Sequence, residues 1–296
     1  MGYIDEYKLQ HAIDHNIRIT VYSLDYAMKI NNIARLKNKK AIIHIKIDTG
    51  MSRIGFIVNE TSISDIKKIF SLDHIIVEGI YTHFAKSDIT NKDATYEQLE
   101  KFHWVLHELK LSNLDIPIKH VSNSAAILDQ RDCDFNMVRL GISLYGSYPS
   151  NEVSKEIKLK TALTLKTKVS NIKWIEKGTE VSYGGTYIAN RRIRLATIPV
   201  GYADGFSRTQ KNPQVYVNGT LLNIVGRICM DQSMFEVPDE LSINIEDEVT
   251  LIGDMDGIRI GDISRKMSTI DHEILCCLTA RVDRVYYTSN KTLTHK

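Results

Sequence analysis

The feature that most constrains this chain is a regular alternation running from Ile17 to about Tyr145. Short β-rich runs, "RITVYS", "AIIHIKI", "IIVEGIYTHF", "IPIKHVS" and "MVRLGISLYG", are separated by stretches of helical character. Between the third and fourth runs, Leu99, Phe102, Leu106 and Leu109 recur at helical spacing, which predicts an amphipathic helix over Tyr96 to Leu111. Strands alternating with helices imply βαβ units and a mostly parallel sheet. The chain opens inside this pattern: a polar, helix-like stretch from Asp5 to Asn16 runs into a strand-like one from Ile17 to Ser23, as in the middle of a repeating unit.

After "LYGSYPS" the texture changes. Runs such as "ALTLKTKVSNIKWI", "RIRLATIPVGY", "PQVYVNGTLLNIVGRICM" and "EVTLIGDMDGIRI" are divided by Gly, Asn and Asp turns, and "VNGT" is a hairpin signal. A β-rich second domain is expected, with the boundary near Pro149 to Ser154, dividing the chain into 1–152 and 153–296. No internal repeat or low-complexity segment points to a solenoid or a disordered tail.

Charge and hydropathy narrow the partners. A net charge of +2 with dispersed basic residues gives no footprint for nucleic acid or an anionic membrane. No apolar run approaches the roughly 20 residues a membrane helix requires, and the start has no signal-peptide pattern, so a cytoplasmic location is expected. The four cysteines, Cys133, Cys229, Cys276 and Cys277, lack metal-ligand spacing and are expected to be reduced, mostly buried thiols. Cys229, inside "VGRICMDQ", is the one that sits among site-like residues.

In a parallel α/β barrel the chemistry gathers at the carboxyl ends of the strands. Here the run "AIIHIKI" leads into Asp48, Thr49, Gly50 and Arg53, "EGIYT" ends at His83, "IKHVS" reaches Asn123 and Ser124, and "MVRLG" carries Arg139 beside Gly141. Singly, a histidine of this kind is usually a core residue and an arginine a solvated one. Four polar clusters at four successive strand ends instead describe a site. Lys46, inside an apolar run, needs a partner or a modification. Gly141 and Ile142 can offer backbone N–H groups to a phosphate, with the Ser124 hydroxyl as a further donor. In the second half, Tyr183 lies between glycine turns and Tyr202 follows a Pro-Val-Gly bend, although a tyrosine in a β domain is by default a core or interface residue.

Seven stretches, "HIKIDTGMSRIGF", "YTHFAKSD", "SNSAAIL", "VRLGISLYG", "VSYGGTY", "TIPVGYADGFSR" and "VGRICMDQSM", occur in an order that resembles the alanine racemases. These are pyridoxal 5′-phosphate (PLP) enzymes of fold type III. The resemblance covers nearly the whole chain and implies an incomplete (β/α)8 TIM-type barrel with PLP-binding function, then a C-terminal β-rich domain. It implies interconversion of L- and D-alanine by a two-base mechanism, D-alanine supply for peptidoglycan, and a homodimer with shared active sites. Residue by residue, it implies that Tyr183 is the base acting on the L-enantiomer, assisted by Arg53, with His83 and Arg139 near the cofactor ring and Arg139 at the pyridine nitrogen. Asn123, Ser124, Gly141 and Ile142 resemble the phosphate cradle. Arg53 and the Met230 backbone resemble substrate contacts, and Lys46 matches a lysine that can be carbamylated. No metal is implied.

Two positions depart from the family pattern. Ala280 stands where the family usually has a tyrosine bonded to the PLP phosphate, which leaves a serine-preferring relative open. The lysine that carries PLP, in a motif of the kind V-K-A-N-A-Y-G-H-G on the first barrel strand, does not occur, and five or six strands are legible where a closed barrel has eight. The expectation is a racemase sequence that begins about two and a half strands late or whose first strands come from a separate upstream segment, or else a catalytically dead fragment serving as a binding or dimerising module. A cofactor-independent racemase using two cysteines would leave the cradle residues unexplained.

Overall fold

The computed structural model describes residues 1–288 and 291–294. The chain divides into two compact units, one of residues 1–143 and 148–158, the other of residues 144–147 and 159–296.

The first unit holds the alternation. Its elements are α1 (Glu6–Asp14), β1 (Ile19–Val21), α2 (Leu24–Leu36), β2 (Ala41–Asp48), β3 (Phe56–Ile57), α3 (Glu60–Phe70), β4 (Ile75–Tyr81), α4 (Asp93–Leu111), β5 (Ile118–His120) and α5 (Ser124–Asp129). The strands run parallel in the order β1-β2-β4-β5, and the short β3 pairs with the end of β2. Five parallel strands with helical crossovers are part of the eight-stranded barrel circuit. The helices start where the sequence provides caps: Asp5, Ser23 and Asn59 each accept a backbone N–H of the first turn. Caps of this kind contribute about 1 kcal/mol each. Ile43, Ile45 and Ile47 of β2 are buried on the same side as Ile30 of α2 and Ile66 of α3 in one continuous core. Of the predicted α4 stripe, Phe102 and Leu109 are fully buried, while Leu99 and Leu106 pack at its margin.

One expected strand does not form. "MVRLGISLYG" is irregular chain leading into a 3₁₀ turn at Ile142–Tyr145, and the Arg139 N–H reaches Ser122 O at 3.0 Å without a ladder around it. Beside β5 the Asn136 side chain, not a backbone ladder, accepts from Lys119 N and donates to Pro117 O, and Arg139 directs its side chain inward to carbonyls.

The second unit is β-rich. Its elements are β6 (Leu165–Lys168), β7 (Asn171–Ile175), β8 (Glu180–Val181), β9 (Tyr187–Ile188), β10 (Ile193–Ile198), β11 (Gln214–Val217), β12 (Thr220–Asn223), β13 (Ser233–Val237), β14 (Glu248–Ile252), α6 (Ile260–Met267), α7 (Asp271–Cys277), β15 (Val285–Thr288) and β16 (Lys291–Thr294). Antiparallel sheets run β12-β11-β14-β6 and β13-β10-β7, with two-stranded pairs β8-β9 and β15-β16. The hairpin signal "VNGT" joins β11 to β12, with Asn218 and Gly219 both at positive φ as the tight turn requires. All four cysteines are free thiols, but only Cys133 is buried; Cys229 and Cys277 are partly exposed and Cys276 exposed. The expectation of mostly buried thiols is corrected here: Cys276 and Cys277 end the short helix α7, whose one buried residue is Ile274.

Candidate active site

The end of β2 is shaped by Asp48, whose Oδ1 accepts the N–H groups of Gly50 and Ser52, each at 3.0 Å. The loop then returns tightly enough that a side chain at Gly55 would lie 2.6 Å from the Asp48 nitrogen; only glycine fits, at φ 140°. The exposed Arg53 is carried on this return. At the end of β4, Thr82 bonds to Thr49 at 2.7 Å and to Ile47 O at 3.0 Å. Gln98 of α4 holds the following loop by donating to His83 O and accepting from Ala85 N.

Arg139 is the centre of this unit's polar interior. Its Nη2 donates to Thr82 O and Val121 O, both at 2.8 Å, and lies 3.4 Å from His83 Nδ1. Its Nη1 donates to His120 O at 3.1 Å and to His120 Nδ1 at 2.5 Å. The remaining donor, Nε, is buried and has no hydrogen-bond partner among the described residues.

A line of groups continues behind the arginine. His120 Nε2 is 2.7 Å from His44 Nδ1, and His44 Nε2 is 3.0 Å from Glu78 Oε2. Arg18 closes the line with two bonds to the Glu78 carboxylate, at 2.8 and 2.9 Å. A guanidinium can only donate, so His120 Nδ1 accepts and its proton sits on Nε2; that N–H donates to His44 Nδ1, and His44 donates from Nε2 to Glu78. Space for the His44 ring comes from its register partner Gly79, where a Cβ would collide with the imidazole. Tyr81, buried, stacks on His120 with centroids 4.6 Å apart and planes 7° from parallel, and bonds to Thr20 at 2.8 Å. The Arg139 guanidinium and the Lys46 ammonium lie 5.1 and 5.4 Å from its ring.

The electrostatics follow from burial beside cations. Burial, then Arg139, Arg53 and Lys46, push His83 down to about 4. Burial, then Arg139, His44 and Lys46, push His120 down to about 3. Both are neutral at neutral pH. Lys46, buried with its Nζ donating to Ile47 O at 2.8 Å, is lowered to about 8 chiefly by desolvation, against the opposing pull of Asp48. Arg139 is lowered by desolvation to about 10 and so stays charged. Glu78 is held at about 2 by its bonds to Arg18 and His44.

Around Ser124 the backbone converges on a hydroxyl: Gly141 N lies 2.9 Å and Ser143 N 3.4 Å from Ser124 Oγ. The Ser143 hydroxyl is buried without a partner among the described residues. Ile142 follows Gly141 directly and is buried. Asn123 is not free to bind a ligand through its carbonyl oxygen, which accepts from Ala125 N, Ala126 N and Ser87 Oγ; it acts as the cap of α5.

Of the residues singled out in the sequence, the first unit therefore brings Lys46 and Arg139 to the Tyr81 ring, His83 to Arg139, and Gly141, with Ile142 next to it in the chain, to the Ser124 hydroxyl. Tyr183 and Met230 belong to the second unit, and both are solvent-exposed, at 64% and 58%. Tyr202, at 40%, is exposed as well, so neither phenol packs in a core, which leaves the interface half of that default for both. Sequence reasoning passed over His44, Glu78, Tyr81 and His120. The available signal was a histidine inside each of two apolar β runs, with a glycine inside a third.

Two family models match. The alanine racemase N-terminal domain matches residues 1–149, and the alanine racemase C-terminal domain matches residues 162–286. The chain belongs to the alanine racemase family. It is 46% identical over 289 residues to the alanine racemase of Methanococcus maripaludis, a match spanning 96% of this chain and 77% of that protein. It is 44% identical to alanine racemase 1 of Clostridium acetobutylicum over 97% of this chain and 75% of the relative. Among solved structures, the alanine racemase of Clostridium difficile 630 superposes with a TM-score of 0.97 at 44% identity, over 99% of this chain and 77% of that one. The family gives the parallel unit and the β-rich unit their assignment as the racemase barrel and C-terminal domains.

Proposed function

We propose that this racemase-family chain binds PLP and takes part in the interconversion of L- and D-alanine. The observation that carries the reading is the buried, unpartnered Nε of Arg139. It is a donor awaiting an acceptor, as a pyridine nitrogen is, and the other guanidinium donors are already committed to Thr82, Val121 and His120. Ile142, Ser143 and the Ser124 hydroxyl would hold the phosphate beside Gly141, whose N–H is given to Ser124 Oγ at 2.9 Å; a Cβ at Gly141 would come within 3.3 Å of that oxygen, so glycine keeps the approach open. The residues present fit the cofactor.

When bound, PLP withdraws electrons from the amino-acid α-carbon and makes its proton removable. The residues of this chain do the rest. Arg139, charged at neutral pH, would hold the ring nitrogen through Nε and would have no proton to release to it, which would limit how far the ring drains charge and so suppress side reactions. Tyr183 takes or returns the proton on the L face. A phenol is a weak base at neutral pH and needs activation, the assisting role that the family resemblance gives to Arg53. His83 accepts from Arg139 through Nδ1 and keeps its Nε2–H for donation. Met230 contributes a backbone contact to substrate, as does the Arg53 side chain. The lowered Lys46 leaves about a tenth of its amine neutral near pH 7, enough to react with CO2, and the resulting carbamate would offset Arg53 and Arg139.

Racemisation needs an acid/base on each face. The second group in the family is the PLP lysine, whose motif does not occur in these 296 residues. The alternative reading, a non-catalytic binding or dimerising module, rests on that observation. The reading extends to a homodimer sharing its sites, in the cytoplasm, supplying D-alanine for the cell wall; among the described residues no helix is long and apolar enough to cross a membrane. Serine in place of alanine is a further option, because Ala280 carries no hydroxyl toward a phosphate. The test is to add PLP to the purified protein, follow absorbance, reduce with borohydride, and assay D-alanine and D-serine from the L-forms. D-alanine formation supports the racemase; PLP binding without product supports the module.

A further inference from the structure

Within the second unit, Tyr183 begins a single 3₁₀ turn, Tyr183–Gly185, in the loop between β8 and β9. Downstream it has little to hold it: Gly184 and Gly185 have no side chains and sit at φ 71° and 54°. Among the described residues no hydrogen bond holds the phenol. Upstream stands Ser182, at φ 67° and ψ −174°. That backbone region belongs almost entirely to glycine. A glycine would occupy it without strain, so a serine there must supply something glycine lacks.

The hydroxyl is that something. Ser182 Oγ donates to Arg227 O at 2.6 Å and lies 3.4 Å from Cys229 Sγ, which also points at Arg227 O, at 3.7 Å. The approach is enforced: a Cβ on Gly226 would lie 2.8 Å from Ser182 Cβ and 2.7 Å from Val181 O. The same loop is fastened on its far side, where Cys229 O accepts from Tyr202 N at 3.1 Å and Met230 O accepts from Ala203 N at 2.9 Å. Cys229 N also bonds to Gln232 O at 2.9 Å. The segment 226–232 is thus a hub, and Ser182 is the side chain that ties the Tyr183 turn to it.

We propose that Ser182 is a positioning residue for Tyr183: its hydroxyl, anchored on the Arg227 carbonyl, fixes where the phenol stands relative to Met230. The strain at Ser182 is retained because relaxing the backbone would release that anchor. This rests on the reading of Tyr183 as a proton-transfer group, and the two claims separate experimentally.

The experiment compares Ser182→Gly and Ser182→Ala with the unaltered protein, labelled with 13C-tyrosine; the Tyr183 resonance is assigned by its loss in Tyr183→Phe. Both variants lack the hydroxyl, and S182G also frees the backbone, so S182G should melt no lower than the parent. In both, the Tyr183 resonance should broaden or split. With PLP-loaded protein, kcat from L-alanine should fall about tenfold with KM within about twofold. The α-deuterium isotope effect should rise for L-alanine and not for D-alanine, because only the Tyr183 step is slowed. A Tyr183 resonance superimposable on the parent's in both variants would overturn the proposal. Racemisation persisting in Tyr183→Phe would overturn the catalytic reading instead, while the resonance would still decide the role of Ser182.

Discussion

The Nη1 group of Arg139 lies 2.5 Å from His120 Nδ1, and because a guanidinium can only donate, this contact sets the protonation of a line of residues. His120 must carry its proton on Nε2, His44 must do the same, and Glu78 must be an acceptor at the end. The direction of every bond in the buried line is decided at Arg139; with Nη1 on His120 and Nη2 on Thr82 O and Val121 O, Nε is the guanidinium nitrogen without a partner among the described residues.

The two histidines buried beside Arg139, His120 and His83, make stability acid-sensitive. His120 and His83 titrate in the fold at about 3 and about 4, below the ordinary value of 6.5. Between 6.5 and about 4 the unfolded chain therefore binds more protons than the folded one, and stability falls as pH drops through that window. Urea unfolding at a series of pH values should show a slope approaching about 2.7 kcal/mol per pH unit from these two groups. His83→Asn and His120→Asn should each flatten it. A flat profile between pH 6.5 and 5 in the parent would contradict the buried, neutral assignment.

The end of the line has its own signature. Glu78→Leu leaves the His44 Nε2–H without an acceptor and should cost about 1–3 kcal/mol of unfolding free energy. Glu78→Gln keeps an acceptor oxygen and should cost less than half as much. Chemical denaturation separates the two, and 15N spectra of the histidines should show the Nε2–H form of His44 kept in E78Q and disturbed in E78L.

Gly79 makes room for the His44 ring. Gly79→Ala must push the imidazole off His120, and overpacking of this kind costs about 1–3 kcal/mol. The variant should melt lower, and adding His44→Ala should recover part of the loss, because the ring the new methyl collides with is gone. Strictly additive losses would mean that the two positions do not meet.

Arg139→Lys keeps the charge but not the fork. A lysine cannot serve Thr82 O, Val121 O and His120 together, so carbonyls buried behind it lose partners and stability should fall by about 3 kcal/mol. Arg139→Glu tests the chemistry: with PLP and alanine it should divert more turnover into transamination. An unchanged partition between racemisation and transamination would refute the tuning role.

Lys46 should take up a carbamate more readily than an exposed lysine, since its amine is lowered to about 8 by burial. Addition of 13C-bicarbonate should give a carbamate resonance that Lys46→Met abolishes and that fades as pH falls. Persistence of the signal in the methionine variant would assign it elsewhere.

How much of this was legible beforehand divides along physical lines. The alternation of apolar runs with capped helices is local information, carried by Asp5, Ser23 and Asn59 at helix starts and by isoleucines at strand positions, so the parallel sheet could be read directly. So could the "VNGT" hairpin, because only residues tolerant of positive φ fit its two central positions. The motifs likewise singled out Arg53, His83, Ser124 and Arg139 as residues at strand ends. What they could not give is pairing. "MVRLG" has strand-like composition, yet its arginine found carbonyls of Thr82, His120 and Val121 from two other strand ends, and those partners exist only once the sheet has formed. The His44–His120 contact joins residues 76 positions apart and depends on a missing side chain at Gly79. The sequence by itself determined the sheet, the helices and the types of group at the strand ends. The tertiary structure alone decided which donors were already satisfied, and so left Arg139 Nε buried without a partner among the described residues and Ser182 at a strained backbone position.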